Sequence, residues 1–385
     1  MRVLLIGGTG VLSSDVMRLS VEKGHDVFVL NRGTNIKSIL PGVSLIKVDI
    51  KRTGEVSSIL KDLYFDVVVD FISYTVSDLK NSLSLFQSRC QQFIFISSAC
   101  VYRRAKSDGC ITENSPLGNP NWDYSIDKMH CEEYLISKCS QKGLTYTIVR
   151  PYITYGNTRI PYGIMPAYGW HWTFIGRLLR NKPIMMWDEG EAVCTLTHTS
   201  DFAKGLVGLF GNIKAHNEAF HIVSDEIITW KELLALIGDI VGRQPTVVAI
   251  PSDYIAIKLP YLKGMLLGDR SLDAVFDNAK IKDAVPEFIC TTLLRKGIVQ
   301  TLEHYKDNGY INGIDYKWDA QMDKLIHEYL KENDSGILKG LNLGYTNYLQ
   351  GSLIDRSRYY FYRYSPLILV KICKITKHIF RRLKG

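Results

Sequence analysis

The sequence predicts an α/β fold built on a doubly wound parallel sheet. Three observations carry this prediction: short apolar runs recur through the first 150 residues, amphipathic helical segments alternate with them, and the first run ends in Gly7-Gly8-Thr9-Gly10. Uninterrupted apolar runs suit strands buried on both faces, and their alternation with helices implies parallel βαβ units with right-handed crossovers.

Residues 3–6 form the first run, and Val11, Leu12, Val16, Leu19 and Val21 then recur at helical spacing up to Gly24. Further strands are expected at 27–30, 43–48, 67–71, 93–97 and 145–149, with helices at 56–63, 79–86 and 125–142 between them. After Arg150 the pattern loosens into loops rich in Gly, Pro and aromatic residues, with helices near 172–180, 200–210 and 229–241.

Composition narrows the class. With 385 residues, 46% hydrophobic and 22% charged, the chain is neither disordered, fibrous nor a small disulfide scaffold. Its formal charge of +8 is local: from Arg356 to the end there are nine basic residues and no Asp or Glu, which leaves residues 1–355 at −1. The body therefore carries no general signal for nucleic-acid binding. Eight scattered cysteines, without a CxxC pair or a nearby histidine in ligand spacing, suggest a reducing compartment and no metal site. The four-residue apolar run at 3–6 is too short for a signal-peptide core, so a cytoplasmic location is expected.

Glycines between a first strand and a first helix let the backbone approach a pyrophosphate, whose charge then sits at the helix N-terminus. Gly7, Thr9, Gly10, Val11 and Leu12 are the expected contacts, with Ser13 where a third glycine is usual. After the second strand comes Asn31-Arg32-Gly33, where an NAD enzyme usually carries an acid. A guanidinium suits a 2′-phosphate, so the reading leans to NADP over NAD; alternatively Arg32 stacks on adenine. Asp49-Ile50, ending the third strand, is a candidate for the adenine edge or, equally, a loop cap.

The strand at 93–97 runs into Ser97-Ser98-Ala99-Cys100-Val101-Tyr102, and Tyr124-Ser125-Ile126-Asp127-Lys128 follows. Four residues apart on a helix, Tyr124 and Lys128 share a face. The ammonium would depress the phenol's pKa and make Tyr124 a general base, with Ser98 hydrogen-bonded to the same substrate hydroxyl.

On these residues the sequence resembles the extended short-chain dehydrogenase/reductase family, the NAD(P)-dependent nucleotide-sugar epimerases and dehydratases. The matching segments are Gly7 to Gly10, Asp49, Ser97 to Tyr102, Tyr124-x-x-x-Lys128, Arg150-Pro151-Tyr152-Ile153-Thr154-Tyr155-Gly156 and Thr197-His198-Thr199-Ser200-Asp201. The resemblance implies a Rossmann-type fold, a catalytic trio of Ser98, Tyr124 and Lys128, and a loop from Arg150 to Gly156, including Tyr152, that links cofactor and substrate. It also implies a nucleotide-diphosphate sugar as substrate. Family 4,6-dehydratases carry an Asp-Glu pair where this chain has Ala99-Cys100, which disfavours dehydration. In family 3,5-epimerases a similar strand end supplies a proton-exchanging Cys; Cys100 could act so, with His171 as partner, or be a small buried filler. The plainest reaction is 4-epimerisation, with a keto-sugar reductase as the alternative.

Arg159, Arg177 and Arg270 are candidates for the substrate diphosphate, or ordinary surface arginines. Tyr162, Tyr168, Trp170, Trp172 and Trp187 could stack on a base or sugar, or be core. Domains are expected at 1–155 for the dinucleotide, with segments near 193–225 interleaving, at 156–350 for substrate, and at 351–385 as a basic amphipathic tail. In that tail Ile368, Ile372, Ile375, Ile379 and Leu383 line one helical face, with Tyr359, Tyr360, Phe361, Tyr362 and Tyr364 before them. It suits the inner surface of an anionic membrane, a helix docked on the body or a dimer partner, or a disordered tail. A homodimer is expected. A protein of another class, binding RNA or acting as a scaffold without turnover, stands as the alternative to the enzyme.

Overall fold

The strands, in chain order, are β1 (Arg2–Ile6), β2 (Asp26–Asn31), β3 (Ser44–Lys47), β4 (Phe65–Asp70), β5 (Cys90–Ile96), β6 (Thr145–Arg150), β7 (Ile153–Tyr155), β8 (Ile184–Trp187), β9 (Val193–His198), β10 (Glu218–His221), β11 (Ile227–Thr229) and β12 (Val247–Ile250). The computed structural model describes residues 1–105, 109–142, 144–167, 169–349 and 351–366. Seven strands form one parallel sheet in the order β10-β6-β5-β4-β1-β2-β3. The chain reverses direction across the sheet between β1 and β4, which puts a crevice at the carboxyl ends of those strands.

The alternation of side chains along these strands divides the core in two. Val3, Leu5, Val27, Val29, Val67, Val69, Ile94 and Ile96 face one side, packed with residues of helices α1 (Val11–Glu22) and α6 (Thr199–Gly208). Leu4, Ile6, Leu30, Val68, Phe93 and Phe95 face the other, against α2 (Thr53–Ile59), α3 (Val76–Phe86) and α4 (Asp123–Lys142). Both faces are dry, which is why the strands read as unbroken apolar runs.

The chain forms two compact units. The first comprises Met1–Pro161, Ala192–Trp230 and Tyr261–Thr301; the second comprises Tyr162–Glu191, Lys231–Pro260 and the chain from Leu302 onward. A single substrate region over 156–350 does not describe this arrangement, because Tyr261–Thr301 belongs with the sheet-bearing unit. Segments distant in sequence join it through contacts that no local pattern encodes: Asn278 donates to the Val223 carbonyl and the Leu294 amide to Glu226. β7, β9 and β11 make a small sheet in the first unit; β8 and β12 pair in the second.

The second unit is organised around a buried ionic cluster. Arg177, on helix α5 (Trp172–Leu179), meets Asp319 Oδ1 at 2.6 Å and Asp323 Oδ1 at 2.9 Å, and Lys182 Nζ meets their other oxygens at 2.9 and 2.5 Å. Tyr348 donates to Asp319 and Tyr359 to Asp323, so helix Leu353–Tyr364 is tied to helix Tyr316–Asn333. Of the aromatics read as leading into the tail, Tyr359 is fully buried and faces the body of its own unit. The amphipathic stretch expected over 367–384 lies outside the described residues, as does Tyr168. Tyr162, Trp172 and Trp187 are buried, Tyr162 stacked on Phe174 at 4.4 Å.

Asp319→Ala leaves two buried cations sharing one carboxylate, and breaking such a pair costs about 3–5 kcal/mol. Urea unfolding is expected to register that loss; one within about 1 kcal/mol, the value of an exposed pair, would mean that the cluster does not organise the unit.

Candidate functional site

The turn after β1 can be built only with glycine at its first position. Gly7 has φ +87°, and a Cβ there would lie 2.3 Å from Ile72 Cγ2. Ser13, in place of a third glycine, is buried and useful: its hydroxyl donates to the Gly7 carbonyl at 2.9 Å and accepts the Gly10 amide at 2.8 Å. The first turn of α1, beginning at Val11 and Leu12, carries no acid, so its free N–H groups present an unopposed positive end. At the end of β2, Asn31 Oδ1 accepts the Gly33 amide at 2.7 Å, while Asn31 Nδ2 is buried with no partner among the described residues. Arg32 is exposed, without an ion-pair or hydrogen-bond partner among them. Asp49 Oδ1 accepts the Lys51 amide at 3.0 Å, a loop cap, and Ile50 beside it is half-buried. A glycine cradle, a cationic helix end, an orphaned amide and a waiting guanidinium together fit a dinucleotide.

At the carboxyl end of β5 the chain is pinned to β6: Ser97 N donates to Val149 O at 2.8 Å and Ala99 N to Pro151 O at 2.9 Å. Ser98 is buried, accepts the Cys100 amide at 3.3 Å and makes a side-chain hydrogen bond with the Cys100 thiol. Tyr124 opens α4 with its ring 5.1 Å from Trp122 and 6.4 Å from Tyr74. The Tyr74 ring also faces Lys128 Nζ at 4.8 Å, so one aromatic side chain touches both ends of the Tyr-x-x-x-Lys pair. Lys128 is 2% exposed and donates to Ser73 O at 2.7 Å and Ile96 O at 2.8 Å. Burial pushes its pKa down to about 8, against the pull of Asp70. The ammonium is therefore charged at neutral pH and titrates just above it.

Beneath the trio runs a buried polar chain that sequence reasoning missed. Ser97 donates to Glu132, which takes Arg150 in a two-pronged bond at 3.0 and 2.7 Å. Arg150 donates to Tyr102 Oη at 2.6 Å, and Tyr102 in turn contacts His221 Nε2 at 2.6 Å. Because His221 Nδ1 faces the Asp277 carbonyl at 3.1 Å, it carries the proton, and Nε2 accepts from Tyr102. Burial pushes His221 down to about 4, consistent with this neutral form. Glu132 lies four residues after Lys128, a spacing that could have flagged it.

Cys100 is buried, and burial raises its thiol pKa despite the nearby Arg270 and Arg159 charges. Desolvation outweighs the cations, which favours the small buried filler of the two readings of Cys100. Tyr152 is buried between two guanidiniums, Arg104 at 5.7 Å and Arg270 at 5.9 Å from its ring centre, and both arginines pair with the buried Asp269. Arg104 and Asp269 were not anticipated. Arg159 is half-buried in the same unit. His171 and Arg177 belong to the second unit. Arg177 is a correction: it is 1% exposed, and Asp319, Asp323 and the Pro183 carbonyl occupy its guanidinium, leaving no face for a phosphate.

The sheet order and the glycine turn define a Rossmann-type dinucleotide-binding fold. The model of the NAD dependent epimerase/dehydratase family matches residues 3–222, and the chain belongs to that family. Among curated proteins it is 29% identical over 245 residues to the chloroplast stem-loop binding protein of 41 kDa b of Arabidopsis thaliana, covering 60% of this chain and 61% of that one. It is 23% identical over 288 residues to 2′-dehydrokanamycin reductase of Streptomyces kanamyceticus, covering 75% and 80%. The chain thus spans less than two thirds of the length of the first of these relatives. Among solved structures, UDP-glucuronic acid 4-epimerase from Bacillus cereus, in complex with UDP-glucuronic acid and NAD, superposes with TM-score 0.65 at 18% identity, over 80% of this chain and 99% of that one.

Gly7→Ala forces a side chain into φ +87° and against Ile72. Titration of NADH and NADPH fluorescence is expected to reveal at least a tenfold loss of affinity, about 1.4 kcal/mol; unchanged affinity would remove the turn from the binding site.

Proposed function

We propose that the chain is a nicotinamide-dependent 4-epimerase of a nucleoside-diphosphate sugar. The observation that carries this reading is that Lys128, one helical turn after Tyr124, donates to the Ile96 carbonyl at the end of β5, two residues before Ser98, which is followed by Ala99-Cys100 and not by an acidic pair. Tyr124 accepts the proton of a sugar hydroxyl and later returns it. The Lys128 ammonium, beside it on α4, stabilises the phenolate, and the Ser98 hydroxyl steadies the substrate oxygen. A nicotinamide dinucleotide, held by the Gly7–Gly10 turn, the N-terminus of α1 and Arg32, would supply a reversible hydride acceptor for the ring carbon. The cycle is redox-neutral and needs no acid or base at a neighbouring carbon, which agrees with a Cys100 held as thiol.

Two finer choices follow from Arg32. Exposed just after β2 and without an ion-pair partner among the described residues, it suits the 2′-phosphate of NADP, and NADP favours a keto-sugar reductase as the second reading, in line with the reductase relative. A binding role without turnover, the third reading, would leave the trio unused.

A panel of UDP-, GDP-, CDP- and dTDP-sugars discriminates among these. With Tyr124→Phe, kcat is expected to fall about 10²- to 10⁴-fold, the usual weight of a positioned base. In deuterated water a 4-epimerase leaves ring carbons unlabelled, whereas labelling lost in Cys100→Ser would indicate 3/5-epimerisation; net NADPH consumption would indicate the reductase. If no sugar is altered and Tyr124→Phe changes nothing, the enzyme reading fails.

We also propose that the C-terminal end attaches the chain to an anionic membrane surface. Helix Leu353–Tyr364 turns Tyr359 inward and leaves Leu353 83% and Ile354 78% exposed. The sequence from Arg356 on carries nine basic residues and no acid, at about 1 kcal/mol per basic residue near such a surface. Among the described residues no helix is long and apolar enough to cross a membrane. The full chain is expected to sediment with phosphatidylserine vesicles and not with phosphatidylcholine alone. Changing Lys371, Lys374, Lys377, Arg381 and Arg382 to Gln should leave it in the supernatant, and equal sedimentation of both proteins would exclude the attachment.

A further inference from the structure

Lys128 is a buried ammonium without a direct carboxylate partner among the described residues. Its two protein hydrogen bonds go to carbonyls, Ser73 O at 2.7 Å and Ile96 O at 2.8 Å, and the Tyr74 and Phe95 rings each face Nζ at 4.8 Å. A charge so enclosed is costly unless an opposite charge stands nearby. The groups around it come from three elements. On its own helix α4 are Tyr124, Cys131 and Glu132; from β4, α3 and the turn joining them come Asp70, Asp78 and Tyr74; β5 presents Phe95 and Ile96, which carry no charge.

Elimination leaves one anion. Glu132 is taken by Arg150 in a two-pronged ion pair. Asp78 is spent at the exposed start of α3, where it accepts the Thr75 amide at 3.1 Å and hydroxyl at 2.9 Å. Asp70, the last residue of β4, is fully buried and has no ion-pair partner among the described residues. Its Oδ1 accepts the Ile72 and Ser73 amides at 2.9 and 3.0 Å, and its Oδ2 accepts the Ser73 hydroxyl at 2.6 Å. The carboxylate thus shapes the very turn whose Ser73 carbonyl receives the ammonium.

We propose that Asp70 is the positioning residue and buried counter-charge of Lys128, acting through the β4–α3 turn to keep the ammonium cationic and aimed at Tyr124. The inference rests on the proposed role of the Tyr124–Lys128 pair, but its consequences can be read without any substrate. Neutralising Asp70 removes the anion that opposes desolvation, so Lys128 loses its proton at lower pH. Tyr124, deprived of a neighbouring cation, then ionises at higher pH.

Two measurements test this. In Asp70→Asn, the Tyr124 phenol, followed by ultraviolet difference absorbance against the same protein carrying Tyr124→Phe, is expected to titrate at least about one pH unit higher than in the wild type. With a substrate in hand, the alkaline limb of kcat/KM should move down by a similar amount, whereas loss of a merely structural residue would lower the whole profile without moving its limb. An unmoved phenol titration overturns the proposal even if no sugar is ever turned over, so its failure is separable from that of the epimerase reading. Should Asp70→Asn unfold, the double variant Asp70→Asn with Lys128→Met is the decisive protein. It is expected to fold and to melt higher than Asp70→Asn alone, because both buried charges are gone. If the double variant is no more stable, Asp70 does not serve Lys128 and the proposal fails.

Discussion

A lysine ammonium held almost wholly out of water is the constraint on which the site is built. Lys128 is held there by the carbonyls and aromatic faces that β5 and the turn after β4 bring to Nζ. The parallel sheet makes this convergence, since adjacent strands end together and their following turns crowd the same edge. Helix α4 then carries Tyr124 one turn before Lys128, and Ser98 leaves β5 beside them. Burial is also what makes the charge effective, because an ammonium in a low-dielectric site acts on a neighbouring phenol far more strongly than one in water.

The same economy of buried charge recurs in both units. Glu132 and Arg150 lock α4 to β6 beneath the trio, and their hydrogen-bonded extension through Tyr102 to His221 reaches β10. In the second unit, Arg177 and Lys182 are matched by Asp319 and Asp323, a balanced two-against-two arrangement capped by the Tyr348 and Tyr359 hydroxyls. Such clusters add little net stability compared with apolar packing of equal volume, but they tolerate very few alternative arrangements. They join segments far apart in sequence, which a family able to host several chemistries on one sheet needs in order to keep its loops in register.

Much of the site could be read from the chain alone, for reasons specific to its parts. The glycine turn is legible because a positive φ and a close approach to Ile72 admit no other residue at position 7. Tyr124 and Lys128 are legible because helical spacing brings i and i+4 to one face whatever surrounds them. Ser13 was readable as a departure, but its pair of hydrogen bonds to Gly7 and Gly10 was not. Asp70 was invisible for a different reason: an acid closing an apolar run looks like the end of a strand, and its partner lies 58 positions away on α4. Arg177 misled because an arginine after a loop looks like a phosphate ligand until the two aspartates that occupy it, more than 140 residues on, are brought beside it.

The sequence by itself determined the alternation of strand and helix and the glycine turn, and it singled out Tyr124 and Lys128 as a pair, since each depends on local periodicity or on the conformational limits of single residues. Tertiary structure alone decided which charges are paired and which wait for a ligand. It also decided that burial raises the Cys100 thiol and lowers the Lys128 ammonium, and that Tyr359 turns inward while its neighbours do not. Those outcomes are set by desolvation and by partners distant in the chain, and neither quantity exists until the chain has folded.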